Sequence, residues 1–212
     1  MDELYNKTLR EVLELSASAS PTPGGGSVSA VVACFGLAMT AMVCRLTVGR
    51  EKYKDVEPHV NEILIVANGL IRKLEELADA DMAEFNNYLT ALRMPNGTDV
   101  EKAARNDAMQ KTLKRATGIP MEIARACLEA LRITNRLAAI GNKIAISDAG
   151  VASVVTEAAL NGVLLSADIN VSMIKDHDYV NKIIAEKEAM AAEAKQLRDE
   201  VMAVVQERIK YT

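Results

Sequence analysis

The stretch SPTPGGGSVSAVVACFGLAMTAMVCRLTVGR, residues 20–50, decides how the rest of the chain reads. Pro21 and Pro23 stiffen the approach and disfavour helix before them. Gly24, Gly25 and Gly26 then leave the backbone without any Cβ, so a neighbour or a ligand can come close. Ser27 reads as the N-cap of an apolar helix that runs to about Val48. Ala30, Ala33, Ala38 and Ala41 let other backbones approach that helix, and Gly49 suits the position just past its end. A helix apolar on nearly all sides is one that other helices bury. Val28 to Val43 is the only membrane suspect. It is shorter than a usual span, is diluted by Ser29, Gly36 and Thr40, and runs into Arg45, so we expect no membrane partner.

Outward from this helix the pattern stays helical. Upstream, a first helix is expected from Asp2 to Leu15 with Leu4, Leu9, Val12 and Leu13 inward. Downstream, a long helix starts near Val56-Glu57-Pro58, with Pro58 in its first turn. Ile63, Val66, Leu70, Leu74, Leu77, Phe85 and Leu89 carry it. Pro95-Asn96-Gly97 is a turn. Thr98 and Glu101 form a capping box that opens the next helix. Gly118 and Pro120 are expected to break that helix, and Met121 to Ala139 resumes it. Gly141-Asn142 marks a further turn, helix returns through Ser147-Asp148 to Leu165, and Ser166–Asn170 interrupts the apolar run. A last helix begins near Asp176, with Ile183, Met190, Leu197 and Val204 at heptad spacing. No segment has strand periodicity and no internal repeat is visible. The expected architecture is all-α: one domain, residues 1–212, a bundle of long antiparallel helices with no sheet.

Composition agrees. Half of the 212 residues are hydrophobic, only 3% are aromatic and there is no Trp, a mixture that favours close-packed helices. A net charge of −4 argues against a nucleic-acid partner. Cys34, Cys44 and Cys127 form no Cys-x-x-Cys or Cys/His pair, so neither a disulfide framework nor a metal site is supported. They read as reduced, buried thiols of a cytoplasmic protein. Met1-Asp2-Glu3 lacks the basic start of a signal peptide.

Several polar groups stand out. The glycine run lacks the Lys of a P-loop and follows no strand, so a ligand-contacting loop and a structural turn both stay open. Asp79 and Asp81 point apart on their helix, and Asp81, beside Met82 and a turn from Phe85, can be partly buried. Arg105 reads as a surface ion pair or an anion clamp. Asn142, Ser147 and Asp148 interrupt an apolar region and need partners where buried, Asp148 being equally a helix cap. Asn170, between Ile169 and Val171, is a structural bridge or a ligand contact. His59 and His177 sit beside helix starts and read as exposed end residues.

Taken in order, these segments resemble the formiminotetrahydrofolate cyclodeaminase / methenyltetrahydrofolate cyclohydrolase family. The resemblance rests on Pro23–Val28, Met42-Val43, Leu46–Arg50, Asp79–Asp81 with Phe85, and Met94-Pro95 with Thr98, Glu101-Lys102 and Arg105. It continues through Pro120, Gly141-Asn142, Ser147-Asp148, Ile169–Val171 and Asp176. Asn96 and Ser166-Ala167 depart from the family's usual residues. The resemblance implies an all-helical homodimer with a reduced folate, polyglutamylated or not, in a cleft containing the glycine loop. The tetrahydrofolate derivative is then the substrate, and no resident cofactor or metal is needed. It implies either of two reactions: hydration of 5,10-methenyl-tetrahydrofolate to 10-formyl-tetrahydrofolate, slightly preferred here, or closure of 5-formimino-tetrahydrofolate with loss of ammonia. A folate-binding scaffold without turnover is the non-enzymatic rival. On this reading Asp148 and Asp81 are the candidate acid–base groups. Gly24, Gly25, Gly26, Ser27, Arg50, Arg105, Asn142, Ser147 and Asn170 are the candidate substrate contacts.

Overall fold

The computed structural model describes residues 4–210, and the expectations placed on residues 1–3 lie outside them. Six α-helices carry the fold: α1 (Leu9–Ser16), α2 (Gly25–Thr47), α3 (Glu57–Leu92), α4 (Asp99–Ile140), α5 (Ile146–Val171) and α6 (His177–Lys210). No strand occurs among the described residues. The expected all-α class is therefore the observed one.

Helices α2 to α5 alternate in direction, as side-chain bonds between them show. The Ser27 hydroxyl reaches the Ala78 carbonyl of α3 while the Cys34 thiol reaches that of Ile71, so the two helices run oppositely. Arg105 at the start of α4 bonds the Leu92 carbonyl at the end of α3. Asn170 near the end of α5 bonds the Ala116 carbonyl of α4. The result is an up-down-up-down bundle in which α5 closes against α2. That contact is tight: a Cβ at Gly36 would lie 2.2 Å from the Thr156 hydroxyl oxygen. Helix α6 packs outside on α4 and α5, parallel to α4. Arg125–Glu186 and Arg132–Glu193, each 2.7 Å, repeat along that pair one heptad apart.

The core is aliphatic, with Leu37, Ile63, Leu74, Met121, Leu131 and Leu160 among its fully buried side chains. The buried hydroxyls of Thr40 and Thr134, 2.8 Å apart, satisfy each other. Cys34, Cys44 and Cys127 are buried and unpaired. Burial pushes their thiols up to about 11, about 12 and about 12, so they hold their protons at neutral pH.

Several boundaries differ from expectation for identifiable reasons. Residues 4–6 form a short 3-10 turn, and α1 starts only at Leu9, opened by the Thr8–Glu11 capping box. Leu9 and Leu13 point outward, each 57% exposed, because α1 lies on the bundle surface and buries none of its residues. Val66 is exposed on α3. Helix α2 begins at Gly25 with Gly24 as its N-cap, so Ser27 is not the cap but a buried first-turn residue. Gly49, with φ +74°, terminates that element as expected. The Thr98–Glu101 capping box is formed. Helix α4 continues through Gly118 and Pro120, and α5 continues through Ser166 to Val171. The α6 seam is Ile183, Met190, Ala194, Val201 and Val205; Leu197 and Val204 flank it.

Candidate functional site

At the N-terminal end of α2 the four bundle helices leave a cleft of about 150 Å³. Gly24, Gly25 and Gly26 form one wall, Asp81 and Phe85 of α3 the second, Ala116 and Pro120 of α4 the third, and Ser166, Ile169 and Asn170 of α5 the fourth. The Thr22–Pro23 peptide is cis, and Pro21 and Thr22 stand at the rim. The leading N–H groups of α2 have no partner within the helix, and the positive end of its dipole faces the same space.

Asp81 is the ionisable group of this cleft. Its Oδ2 accepts the Ser27 hydroxyl at 2.8 Å, and the Ser27 backbone N–H also acts on the carboxylate. Asp81 therefore caps α2 from another helix, which is why α2 needs no side-chain cap of its own. Removal from water is the dominant influence and raises its pKa above the ordinary carboxylate value, against the opposing bonds from Ser27. The arrangement requires glycine at position 26. A Cβ there would lie 2.5 to 2.7 Å from the Asp81 carboxylate atoms. At Gly25 and Gly24 a Cβ would meet only ordinary contacts of 3.5 and 3.6 Å.

Asn170 is positioned by a defect in α4. Pro120 has no N–H, so the Ala116 carbonyl four residues earlier loses its helical donor. The Asn170 Nδ2 donates to that carbonyl at 2.9 Å. This bond lets α4 pass through Pro120 unbroken and fixes the Asn170 amide beside the cleft. Asn170 is thus a structural bridge that also lines the cleft.

The remaining expected site residues lie elsewhere. Asp148 and Asn170 share helix α5, and at about 1.5 Å per residue they stand about 33 Å apart. Asn142 is buried at the far end, where its Nδ2 donates to the Leu46 carbonyl at 2.7 Å and its N–H to the Thr47 hydroxyl at 2.8 Å. It ties the α4–α5 turn to the end of α2. Arg50 belongs to that end too, its Nε donating to the Leu46 carbonyl at 2.8 Å. Ser147 is exposed and Asp148 half-buried in the first turn of α5. Arg105 ties the α3–α4 hairpin through the Leu92 carbonyl at 3.0 Å and does not line the cleft. One chain therefore assembles Gly24, Gly25, Gly26, Ser27, Asp81 and Asn170, and keeps Arg50, Asn142, Ser147 and Asp148 at the opposite end. Among the described residues no His, Cys, Asp and Glu cluster could hold a metal ion.

Sequence reasoning did not assign Phe85, Pro120, Ser166 or Ile169 to a wall. Phe85 sits four residues after Asp81, on the same helical face, and that spacing is the signal that could have found it.

The formiminotransferase-cyclodeaminase family matches residues 8–189. The chain is 35% identical over 204 residues to the methenyltetrahydrofolate cyclohydrolase of Methylorubrum extorquens, covering 96% of this chain and 98% of that protein. It is 29% identical over 192 residues to the formimidoyltransferase-cyclodeaminase of Sus scrofa, covering 91% of this chain but only 36% of that longer protein. Among solved structures, the formiminotetrahydrofolate cyclodeaminase of Thermotoga maritima superposes with a TM-score of 0.89 at 26% identity, covering 98% of this chain and 100% of that one.

Proposed function

The chain belongs to the formiminotransferase-cyclodeaminase family, and from that premise we propose that it is a folate one-carbon enzyme of the methenyltetrahydrofolate cyclohydrolase type. The observation that carries the choice is the 35% identity, end to end, with a relative bearing that name. The substrate is a reduced folate, and the cleft at the start of α2 is where its pterin binds. Homodimerisation, a polyglutamate tail and a cytoplasmic setting belong to the same reading.

The chemistry suits the residues. The methenyl carbon between N5 and N10 is already electrophilic and cationic, so the protein has to position it, admit water and move protons. Water adds to that carbon, the carbon–N5 bond breaks, and the formyl group stays on N10. Of the two protons water loses, one ends on N5 and one leaves to solvent. Asp81, with its pKa raised toward the working range, is suited to take the first proton and return it to N5. Its negative charge also favours the cationic substrate. Asn170 and the glycine-loop N–H groups orient the pterin ring.

A second reading is favoured by the fold comparison, since the Thermotoga relative is a formiminotetrahydrofolate cyclodeaminase. In that reaction N10 attacks the formimino carbon and ammonia departs, through a tetrahedral carbon at the same place. Purified protein given each substrate separates the two. Enzymatic hydrolysis of 5,10-methenyl-tetrahydrofolate is the expected result. Ammonia release from 5-formimino-tetrahydrofolate without any acceleration of methenyl hydrolysis would replace it with the cyclodeaminase, and folate binding without either turnover would leave a binding protein.

A further inference from the structure

The wall that α5 gives the cleft stands at a helix end. Ile169 and Asn170 lie within two residues of Val171, where α5 stops, whereas Asp81, Phe85, Ala116 and Pro120 lie well inside α3 and α4. Helix termini open locally at little cost in free energy, so a wall built on one needs holding from outside. Gln110 of α4 supplies that hold. Its Nε2 donates to the Met173 carbonyl at 2.9 Å, and its Oε1 accepts the Lys175 N–H at 2.8 Å. One amide thus uses a donor and its acceptor on the two peptide groups that flank Ile174, which is buried. Met173 in turn donates its N–H to the Asn170 carbonyl at 3.0 Å. The Asn170 side chain meanwhile reaches the Ala116 carbonyl. Asn170 is therefore bonded at both its carbonyl and its side-chain amide, and both routes end on α4. Tyr88, on the Asp81–Phe85 face of α3, brings its hydroxyl to the Met173 sulfur at 3.7 Å, so three of the four cleft helices meet there. Lys114, one turn on from Gln110, pairs with Asp176 at 2.6 Å, but between exposed side chains, where an ion pair holds little.

We propose that Gln110 is a positioning residue of the cleft: by holding Met173 and Lys175 it keeps the last turn of α5 wound, and so sets Ile169 and Asn170 against the glycine loop for the ligand. The proposal rests on this cleft being the folate site. Gln110 touches no ligand itself and acts through Met173 on the Asn170 carbonyl. Without it the Met173 carbonyl and the Lys175 N–H lose their partner on α4, the last turn of α5 frays, and the Asn170 amide is left on a single bond to Ala116. The cleft then keeps its carboxylate and its glycines but loses the fixed placement of its fourth wall, which weakens binding rather than proton transfer.

The test is the affinity of Gln110→Ala and Gln110→Glu proteins for 5-formyl-tetrahydrofolate, with amide hydrogen exchange on the same samples. In Gln110→Ala the Kd should rise about tenfold, the scale of one lost hydrogen bond. KM for methenyl hydrolysis should rise with it, while kcat stays within about twofold and keeps its pH profile, because Asp81 is untouched. Gln110→Glu keeps the size and the acceptor, but an ionised carboxylate cannot donate to the Met173 carbonyl. A protonated one can, so its Kd relative to wild type should fall toward unity as pH drops toward about 5. The same ratio for Gln110→Ala should stay flat. The Met173 and Lys175 amides should exchange faster in Gln110→Ala than in wild type, and those in the middle of α4 should not. Faster exchange with an unchanged Kd would reduce Gln110 to a loop anchor and overturn the proposal, as would unchanged exchange. If wild-type protein binds no reduced folate, the functional reading fails instead, and the exchange measurement still confirms or overturns the hold on Asn170.

Discussion

Asp81, Gly26 and Ser27 form a unit in which each residue dictates the others. The carboxylate occupies the space that a Cβ at position 26 would take, so Gly26→Ala forces one of them to move. We expect Gly26→Ala to lower stability by about 1–3 kcal/mol, as overpacking does, and to lower turnover with it. Gly25→Ala should be near neutral in stability, and denaturant unfolding of both variants checks the contrast. Asp81→Asn should reduce turnover at least about tenfold, the low end for losing an acid–base group. Its stability effect has a sign fixed by pH. The folded pKa lies above the unfolded one, so between the two the native state holds more protons than the unfolded state. Wild-type stability therefore falls as pH rises through that window, whereas the amide does not titrate. The melting temperature of Asp81→Asn relative to wild type should accordingly rise between acid and neutral pH; a constant or falling difference would contradict the burial of this charge. Asp81 was legible in the sequence as a carboxylate flanked by Met82 and Phe85. The role of Ser27 was not, because a serine after three glycines reads as a cap, and the residue that caps α2 comes from another helix.

At the level of elements, the exchange between Pro120 and Asn170 explains why α4 is one helix of 42 residues. An interior proline normally kinks or ends a helix, and the expectation of a break there followed from local rules. A side chain more than fifty residues away supplies the missing donor, which no local pattern contains. Removing it by Asn170→Ala leaves the buried Ala116 carbonyl unpaired, at a cost of about 1–3 kcal/mol. Adding Pro120→Ala restores the helical N–H and should recover most of that loss, so the two substitutions are strongly non-additive in a thermal or urea double-mutant cycle. Additive losses would mean that the amide serves only the ligand. The helices around this point were readable because their caps and turns are local: Thr98 with Glu101, Pro95-Asn96-Gly97 and Gly49 all act where the sequence puts them. Helix α5 is different. Its apolar character reads as burial, yet Val151, Val154, Leu165 and Ile169 face outward, since an apolar run with no polar face does not tell its inner side from its outer one.

The candidate residues lie at two ends of the molecule. Antiparallel packing sends the start of α2 to the end of α5 and the end of α2 to the start of α5. Residues that match one family in sequence order, from the glycine loop to Asn170, are therefore sorted to opposite poles of a single chain. The cleft pole holds the half-buried Asp81 carboxylate, the glycine loop and the Asn170 amide. The other holds Arg50 and Asn142, each bonded to the Leu46 carbonyl. Arg50→Ala should accordingly leave KM for the folate within about twofold, since a surface substitution away from the site changes energies by less than about 0.5 kcal/mol. A large rise in KM would return Arg50 to the ligand. The central claim is that a reduced folate binds where α2 begins. The most direct measurement is a crystal structure of the protein with 5-formyl-tetrahydrofolate, a stable reduced folate. The pterin should lie between Gly24–Gly26, Phe85 and Asn170, with Asp81 facing N5; a pterin held at Arg50 and Lys143, remote from any Asp81, would contradict it.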